Sequence, residues 1–203
     1  MSTTMKDQSK SHNGFFAMMA RMKYIERWAL MRNSASENIS EHSMEVAMLA
    51  HALALLGNKR LGKQYSPERV ALLGLYHDCT EIITGDMPTP VKYHDPEIRE
   101  AYKRIEAGAA RRLLNMLPED LREEYVAYLL PEAESAEEGL LVKAADKLSA
   151  LIKCIEEEKA GNQEFHSAKE ATRRSVRNLH CQEAEIFCEE FLPEYYKTID
   201  ELS

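Results

Sequence analysis

Four residues have the types and surroundings to hold a cation: His42, the adjacent pair His77-Asp78, and Asp146. Two imidazoles and two carboxylates suit Mn²⁺, Co²⁺, Fe²⁺, Ni²⁺ or Zn²⁺ and leave positions for water or substrate. His42 opens a stripe with Val46, Leu49, Leu53 and Leu56 at alternating spacings of four and three, so it faces inward on a helix. Asp146 lies in LLVKAADKLSALIKCI, where Leu141, Ala144, Leu148, Leu151 and Ile155 repeat at helical spacing and apolar residues spread nearly all round. A carboxylate in such a segment needs a partner or must neutralise. Spacing alone leaves two readings open for Asp146, a metal ligand and an ion pair with Lys143 or Lys147. His77-Asp78, taken alone, reads as a buried, hydrogen-bonded histidine beside a paired aspartate. On a helix the two side chains diverge by about 100°, yet an ion at the edge between them reaches both. Glu81 follows His77 by four residues and shares its face. His51 points away from His42, and His94, His166 and His180 fall in a loop or in the charged C-terminal region, so no second metal is indicated.

The elements that must position these residues are helical. Gly and Pro number 8 and 7 in 203 residues, below the average of roughly 12% for the pair. A first helix is expected from Gly14 to about Trp28, with Phe16, Met19, Ala20, Lys23 and Arg27 near one face. A second starts near Ser40. Ser66-Pro67-Glu68 starts a third, which carries Val70, Leu73, Gly74, His77, Asp78 and Glu81. Gly85, Pro88, Pro90 and Pro96 then predict a loop of more than ten residues, of the kind that often carries function. Asp95-Pro96-Glu97 starts a fourth helix towards Leu117, and 118–130 reads as a fifth. Ser135 with Glu138 has capping-box spacing and opens a sixth that runs to about Lys159, stopped by Gly161. Residues 163–191 read as one charged helix, with a short helix after Pro193. The fold class is all-α, preceded by a flexible tail at 1–13.

Composition narrows the partners. The formal charge is −8, from 26 Lys plus Arg against 34 Asp plus Glu, and no basic face stands out. That argues against a nucleic-acid polymer or an anionic membrane, which are bound mainly through basic patches. A small phosphorylated ligand needs only a local cluster of positive charge. No apolar run approaches the ~18 residues of a membrane span, and MSTTMKDQSKSHNG lacks a signal-peptide core, so a cytoplasmic location is expected. Cys79, Cys154, Cys181 and Cys188 form no CxxC pair, so neither a disulfide framework nor a thiolate zinc site is indicated.

The order His42 … His77-Asp78 … Asp146 resembles that of the HD-domain metal-dependent phosphohydrolases. The segments ERWALMRN, ENISEHS, YHDCTEIITGDMPTPVKY and VKAADKLSA are similar, more narrowly, to the bacterial 5′-deoxynucleotidases of that superfamily, from about Phe15 to the C-terminus. The resemblance implies a single HD-type helical bundle over 14–203. It implies hydrolysis of deoxyribonucleoside 5′-monophosphates to deoxynucleosides and phosphate, with little choice of base, selection against ribonucleotides, and a homodimer. It implies one divalent cation, Co²⁺, Mn²⁺ or similar, on His42, His77, Asp78 and Asp146. Arg27 and Trp28 match the pair that contacts the nucleotide, and Asp86, Met87, Pro88 and Thr89 match the loop that closes over it; His42, Asp78 and Asp146 also border the substrate. A phosphate monoester dianion repels hydroxide, so a cation must offset its charge. Glu81 or Asp86 would move protons beside Asp78, with the roles of acid and base left open. Lys92 is a second candidate cation by position. Trp28 would crowd C2′, although a lone tryptophan otherwise reads as helix-end packing. Two other readings remain: an HD-type hydrolase of nucleoside triphosphates or another phosphoester, and a metal-stabilised helical binding module without turnover.

Overall fold

The structure, a computed structural model, describes residues 13–92, 94–130 and 135–202. Apart from Asn13, the expected tail at 1–13 lies outside the described residues. Among them the regular structure is helical: α1 (Phe15–Met19), α2 (Ile39–Arg60), α3 (Pro67–Tyr76), α4 (Glu81–Thr84), α5 (Thr89–Lys92), α6 (Pro96–Leu114), α7 (Glu119–Leu129), α8 (Ala136–Lys159), α9 (His166–Asn178) and α10 (Gln182–Glu190), with short 3₁₀ turns between some of them. No helix among the described residues is long and apolar enough to cross a membrane.

Two long helices form the frame. Asn38 caps α2, its side chain accepting from the backbone N–H of Ser40 and Glu41 while Glu41 reaches back to the Asn38 N–H. Ser135 and Glu138 cap α8 in the same reciprocal way. At the far end of α8, Gly161 (φ +86°) takes the left-handed position that stops a helix, and the Asn162 and Gly161 amides return to the carbonyls of Glu157 and Glu158. The stripe on α2 is buried as its spacing requires, and α8 is buried nearly all round, from Leu141 to Glu157. Both pack on α3. Gly74 lets α3 approach: a Cβ there would lie 3.2 Å from the Ala47 Cα and the Val46 carbonyl oxygen. That close crossing brings the end of α3 beside the start of α2. The apolar core falls into two clusters, one centred on α2, α3 and α8, the other joining Phe15, Met22 and Ile39 to Cys79 and Leu113.

Five expectations need correction. The first helix ends at Met19 rather than near Trp28, and Phe15, not Phe16, is its buried residue. Residues 25–27 are drawn into extended pairing with 37–39, through Ile39 N–H to the Ile25 carbonyl and Arg27 N–H to the Glu37 carbonyl, both at 2.9 Å. Tertiary pairing overrides local helical tendency there. The third helix stops at Tyr76, so His77-Asp78 sits in a turn before α4. The loop after Gly85 contains α5. The charged region at 163–191 is two helices broken at His180 (φ +50°). Ser66 precedes α3 as expected, but its side chain makes no capping bond.

Candidate active site

His42 sits in the first turn of α2, His77 and Asp78 in the turn after α3, and Asp146 in the middle of α8. One ligand atom each from His42, His77 and Asp146 lie within 4.8 Å of one another. Asp78 joins them: its Oδ2 is 3.0 Å from His77 Nε2 and 3.5 Å from His42 Nε2, while Asp146 Oδ1 is 3.3 Å from His42 Nε2. The turn, rather than a helix, lets both members of the adjacent pair face the same point.

The histidine tautomers follow from their other ring nitrogens. His77 Nδ1 lies 2.8 Å from the Gly74 carbonyl, which only accepts, so Nδ1 carries the proton. His42 Nδ1 lies 2.9 Å from Ser149 Oγ, and that hydroxyl donates to Glu45 at 2.6 Å, which leaves its oxygen to accept from the imidazole. Both Nε2 atoms are buried and lack a hydrogen-bond partner, since the nearby carboxylate oxygens lie off the bond direction. Two orphaned nitrogens aimed at two carboxylates are what a divalent cation would satisfy, and the outward bonds to Gly74 and Ser149 are the kind that orient metal-binding imidazoles. The donor set therefore fits such an ion.

Electrostatics agree. Burial disfavours charge on His42, but its contacts with Asp146, Asp78 and Glu37 outweigh this and raise its pKa to about 10. Burial alone would raise Asp146 and Asp78, yet the histidines, and Lys147 for Asp146, hold both well below the usual carboxylate range. A field that attracts a proton so strongly also attracts a metal, which would displace it. The two readings of Asp146 prove compatible: Lys147 Nζ bonds to Oδ2 at 2.7 Å while Oδ1 faces His42.

Beside this centre lies a cavity of about 570 Å³, within the usual size for small-molecule sites. Arg27, Trp28, Asp86, Met87, Pro88 and Asp146 all line it, so residues from three distant segments meet there. Thr89 opens α5, and its side chain lies outside what is described. Arg27 Nη1 is 3.5 Å from Asp78 Oδ2. Glu81 is buried at 5% exposure, and its Oε2 has no partner. Burial and the charges of Asp78 and Asp86 push its pKa up to about 9. Burial raises Asp86 as well, against the pull of Arg27. Lys92 is engaged elsewhere, 3.0 Å from Glu106 and over the Tyr102 ring.

Lys147, expected only as one of two possible ion-pair partners of Asp146, also lines the cavity. Ala168, Ala171, Thr172 and Ser175 of α9 line it as well, and only the fold brings them there. Glu37 lies under the site: it accepts from the Trp28 indole N–H at 2.7 Å and stands 3.3 Å from Arg27 Nε and 3.4 Å from His42 Nδ1.

Comparison with known proteins shows the family. Residues 14–195 match the family described as 5′-deoxynucleotidase YfbR-like. A 5′-deoxynucleotidase of Vibrio cholerae is 50% identical over 189 residues, covering 93% of this chain and 97% of that protein. One from Photobacterium profundum is 48% identical over 194 residues, covering 96% and 99%. Among solved structures, an HD-domain phosphohydrolase of Listeria innocua superposes with a TM-score of 0.78 at 22% identity, covering 89% of this chain and 87% of that one. The cyanophage S-2L HD phosphohydrolase, bound to dA and one catalytic Zn²⁺ ion, superposes with a TM-score of 0.61 at 21% identity, covering 88% and 96%. At such identities these two structures speak for the fold.

Proposed function

The chain belongs to the YfbR-like 5′-deoxynucleotidase family, and on that premise we propose that it removes the 5′-phosphate from deoxyribonucleoside monophosphates, disfavours ribonucleotides and reads the base weakly. The observation that carries this reading is the pair of orphaned Nε2 atoms beside two carboxylates at the end of a cavity that also holds Arg27 and Trp28. In the proposal His42, His77, Asp78 and Asp146 hold one divalent cation of the Mn²⁺ or Co²⁺ kind. When bound, that cation offsets the charge of the phosphate dianion and acidifies water at neutral pH.

The chain's own groups do the rest. Arg27, anchored on Asp78 and Glu37, presents its guanidinium to phosphate oxygens, which it matches in a fork geometry. Glu81 holds or passes a proton at a buried carboxyl, and Asp86 stands where the leaving 5′-oxygen needs one. Trp28 fills the space beside C2′. Weak base selection is supported by the small residues that line the cavity from α9, where the Ser175 hydroxyl already donates to the Ala171 carbonyl at 3.0 Å and keeps its oxygen only to accept, so few groups there can read a base edge. The cation and Arg27 make the site attractive to an anion despite a net charge of −8. We propose a homodimer as well: Met44, Met48 and Leu55 leave an exposed apolar stripe along α2 that a second copy would cover.

The test is a panel of deoxynucleoside mono- and triphosphates and ribonucleoside monophosphates, with several divalent metals and a chelator control. Phosphate released from the deoxynucleoside monophosphates is the expected result. Pyrophosphate or tripolyphosphate from the triphosphates as the main product would move the chain to another HD-type reaction, and ligand binding without turnover would make it a binding module.

A further inference from the structure

We propose that Glu37 is a positioning residue that sets how strictly the pocket excludes a 2′-hydroxyl, by clamping Trp28 and Arg27 to the His42 corner of the site. The proposal rests on the deoxynucleotidase reading above. Glu37 immediately precedes the Asn38 cap of α2, and its side chain is only 12% exposed. One oxygen takes the indole N–H of Trp28 at 2.7 Å. The other lies 3.3 Å from Arg27 Nε, a charge contact off the hydrogen-bond direction, and 3.4 Å from His42 Nδ1. The same residue's backbone carbonyl holds the Arg27 N–H at 2.9 Å.

Trp28 needs such a restraint. Its φ of +58° is a genuine outlier for a bulky residue, and such conformations persist only where the surroundings over-determine them. Phe165 packs on the ring with centroids 5.3 Å apart at 56°, which limits tilt without fixing rotation in the ring plane. The bond to Glu37 supplies that missing direction. Without the carboxylate, the indole N–H loses its acceptor and the Arg27 guanidinium is left with its 3.5 Å contact with Asp78, while the backbone bond from Arg27 to residue 37 remains. His42 is still held by Ser149, so the cation corner survives.

Two substitutions separate the effects. Glu37→Gln keeps an acceptor for the indole but removes the charge facing Arg27; Glu37→Ala removes both. Trp28 is the chain's single tryptophan, so its emission and acrylamide quenching report the clamp without any turnover. These are measured with bound-metal content and with kcat and KM on dAMP and AMP. Glu37→Ala is expected to shift Trp28 emission to the red, raise its quenching, and lower the dAMP-over-AMP preference at least fivefold with metal content unchanged. Glu37→Gln is expected to keep emission and preference within twofold of the parent while raising KM for dAMP at least fivefold. The proposal is overturned if Glu37→Ala keeps the parent emission and preference, if Glu37→Gln loses preference as fully as Glu37→Ala, or if either variant loses its metal. Should Glu37→Ala fail to fold, Glu37→Gln decides: raised KM with preserved preference supports the clamp, and unchanged KM overturns it. A parent protein that releases no phosphate from dAMP would sink the functional reading instead, and the emission comparison still judges the clamp.

Discussion

Glu157 is expected to be the costliest single truncation on α8 outside the candidate metal ligands. It is buried at 2% exposure, beside Lys153 at 6%. Its carboxylate pairs with the Lys153 ammonium and accepts from Asn162 Nδ2 at 2.8 Å and from the backbone N–H groups of Ser34 at 2.8 Å and Ala35 at 3.2 Å. Glu157→Ala strands the ammonium on one carbonyl, that of Ala35, and leaves two amides unpaired. Breaking a buried ion pair in this way costs about 3–5 kcal/mol. For a chain of this size that is a fall in Tm of about 6–20 °C, at roughly 2–4 °C per kcal/mol. Lys153→Met is expected to cost less, about 1–3 kcal/mol, because the carboxylate it abandons keeps three other donors. The assay is thermal and urea unfolding of both variants. A pH arm sharpens it. Burial disfavours the Glu157 carboxylate, but Lys153, Asn162 and the two amides together lower its pKa to about 2 from an ordinary 4.5. The stabilisation is therefore fully present above about pH 4.5 and lost as pH falls towards 2, a contribution on the order of 1–3 kcal/mol. Glu157→Ala should remove that segment of the acid limb. A cost below 1 kcal/mol for Glu157→Ala, or a greater cost for Lys153→Met, would refute the reasoning. The network also ties the 31–35 segment, just beyond Trp28, to α8, through Ser34 and Ala35 and through Asn162 to the Arg32 carbonyl.

Other perturbations probe the site itself. Trp28→Ala should raise activity on AMP relative to dAMP by about tenfold, the scale of one lost steric contact; an unchanged ratio would remove the indole from sugar selection. Arg27→Ala should lower kcat/KM on dAMP by roughly 10–100-fold, as expected for a charged hydrogen bond, with metal content intact; loss of the metal would make the guanidinium a structural counter-ion to Asp78. His77→Ala or Asp78→Ala should abolish both bound metal and phosphate release, and full metal occupancy in either would contradict the ligand assignment.

Much of this arrangement is legible in the sequence because the relevant signals are periodic. The stripe from His42 to Leu56 and the all-round apolar pattern about Asp146 follow from helical spacing, and both are buried as that spacing requires. The capping box at Ser135 and the stop at Gly161 are local chemistry and are read locally. What the sequence conceals depends on pairing across the chain. The stretch after Met19 has helical composition, but hydrogen bonds from residues 37–39 pull it into an extended course and leave Trp28 in left-handed geometry. His77-Asp78 fits helical spacing equally well in a turn. Glu37 reaches the site through that same pairing of 25–27 with 37–39, and the small face of α9 through the packing of α9 on α8, which no spacing encodes.

In the proposed reading one divalent cation, held by residues from α2, α8 and the turn after α3, makes this chain a phosphomonoesterase. The direct test is to strip the protein with a chelator and titrate Mn²⁺ or Co²⁺ back while recording phosphate released from dAMP. The expected result is no release from the stripped protein and a rise that saturates near one equivalent of metal per chain. Release that persists through chelation, or none at any metal content, would contradict it.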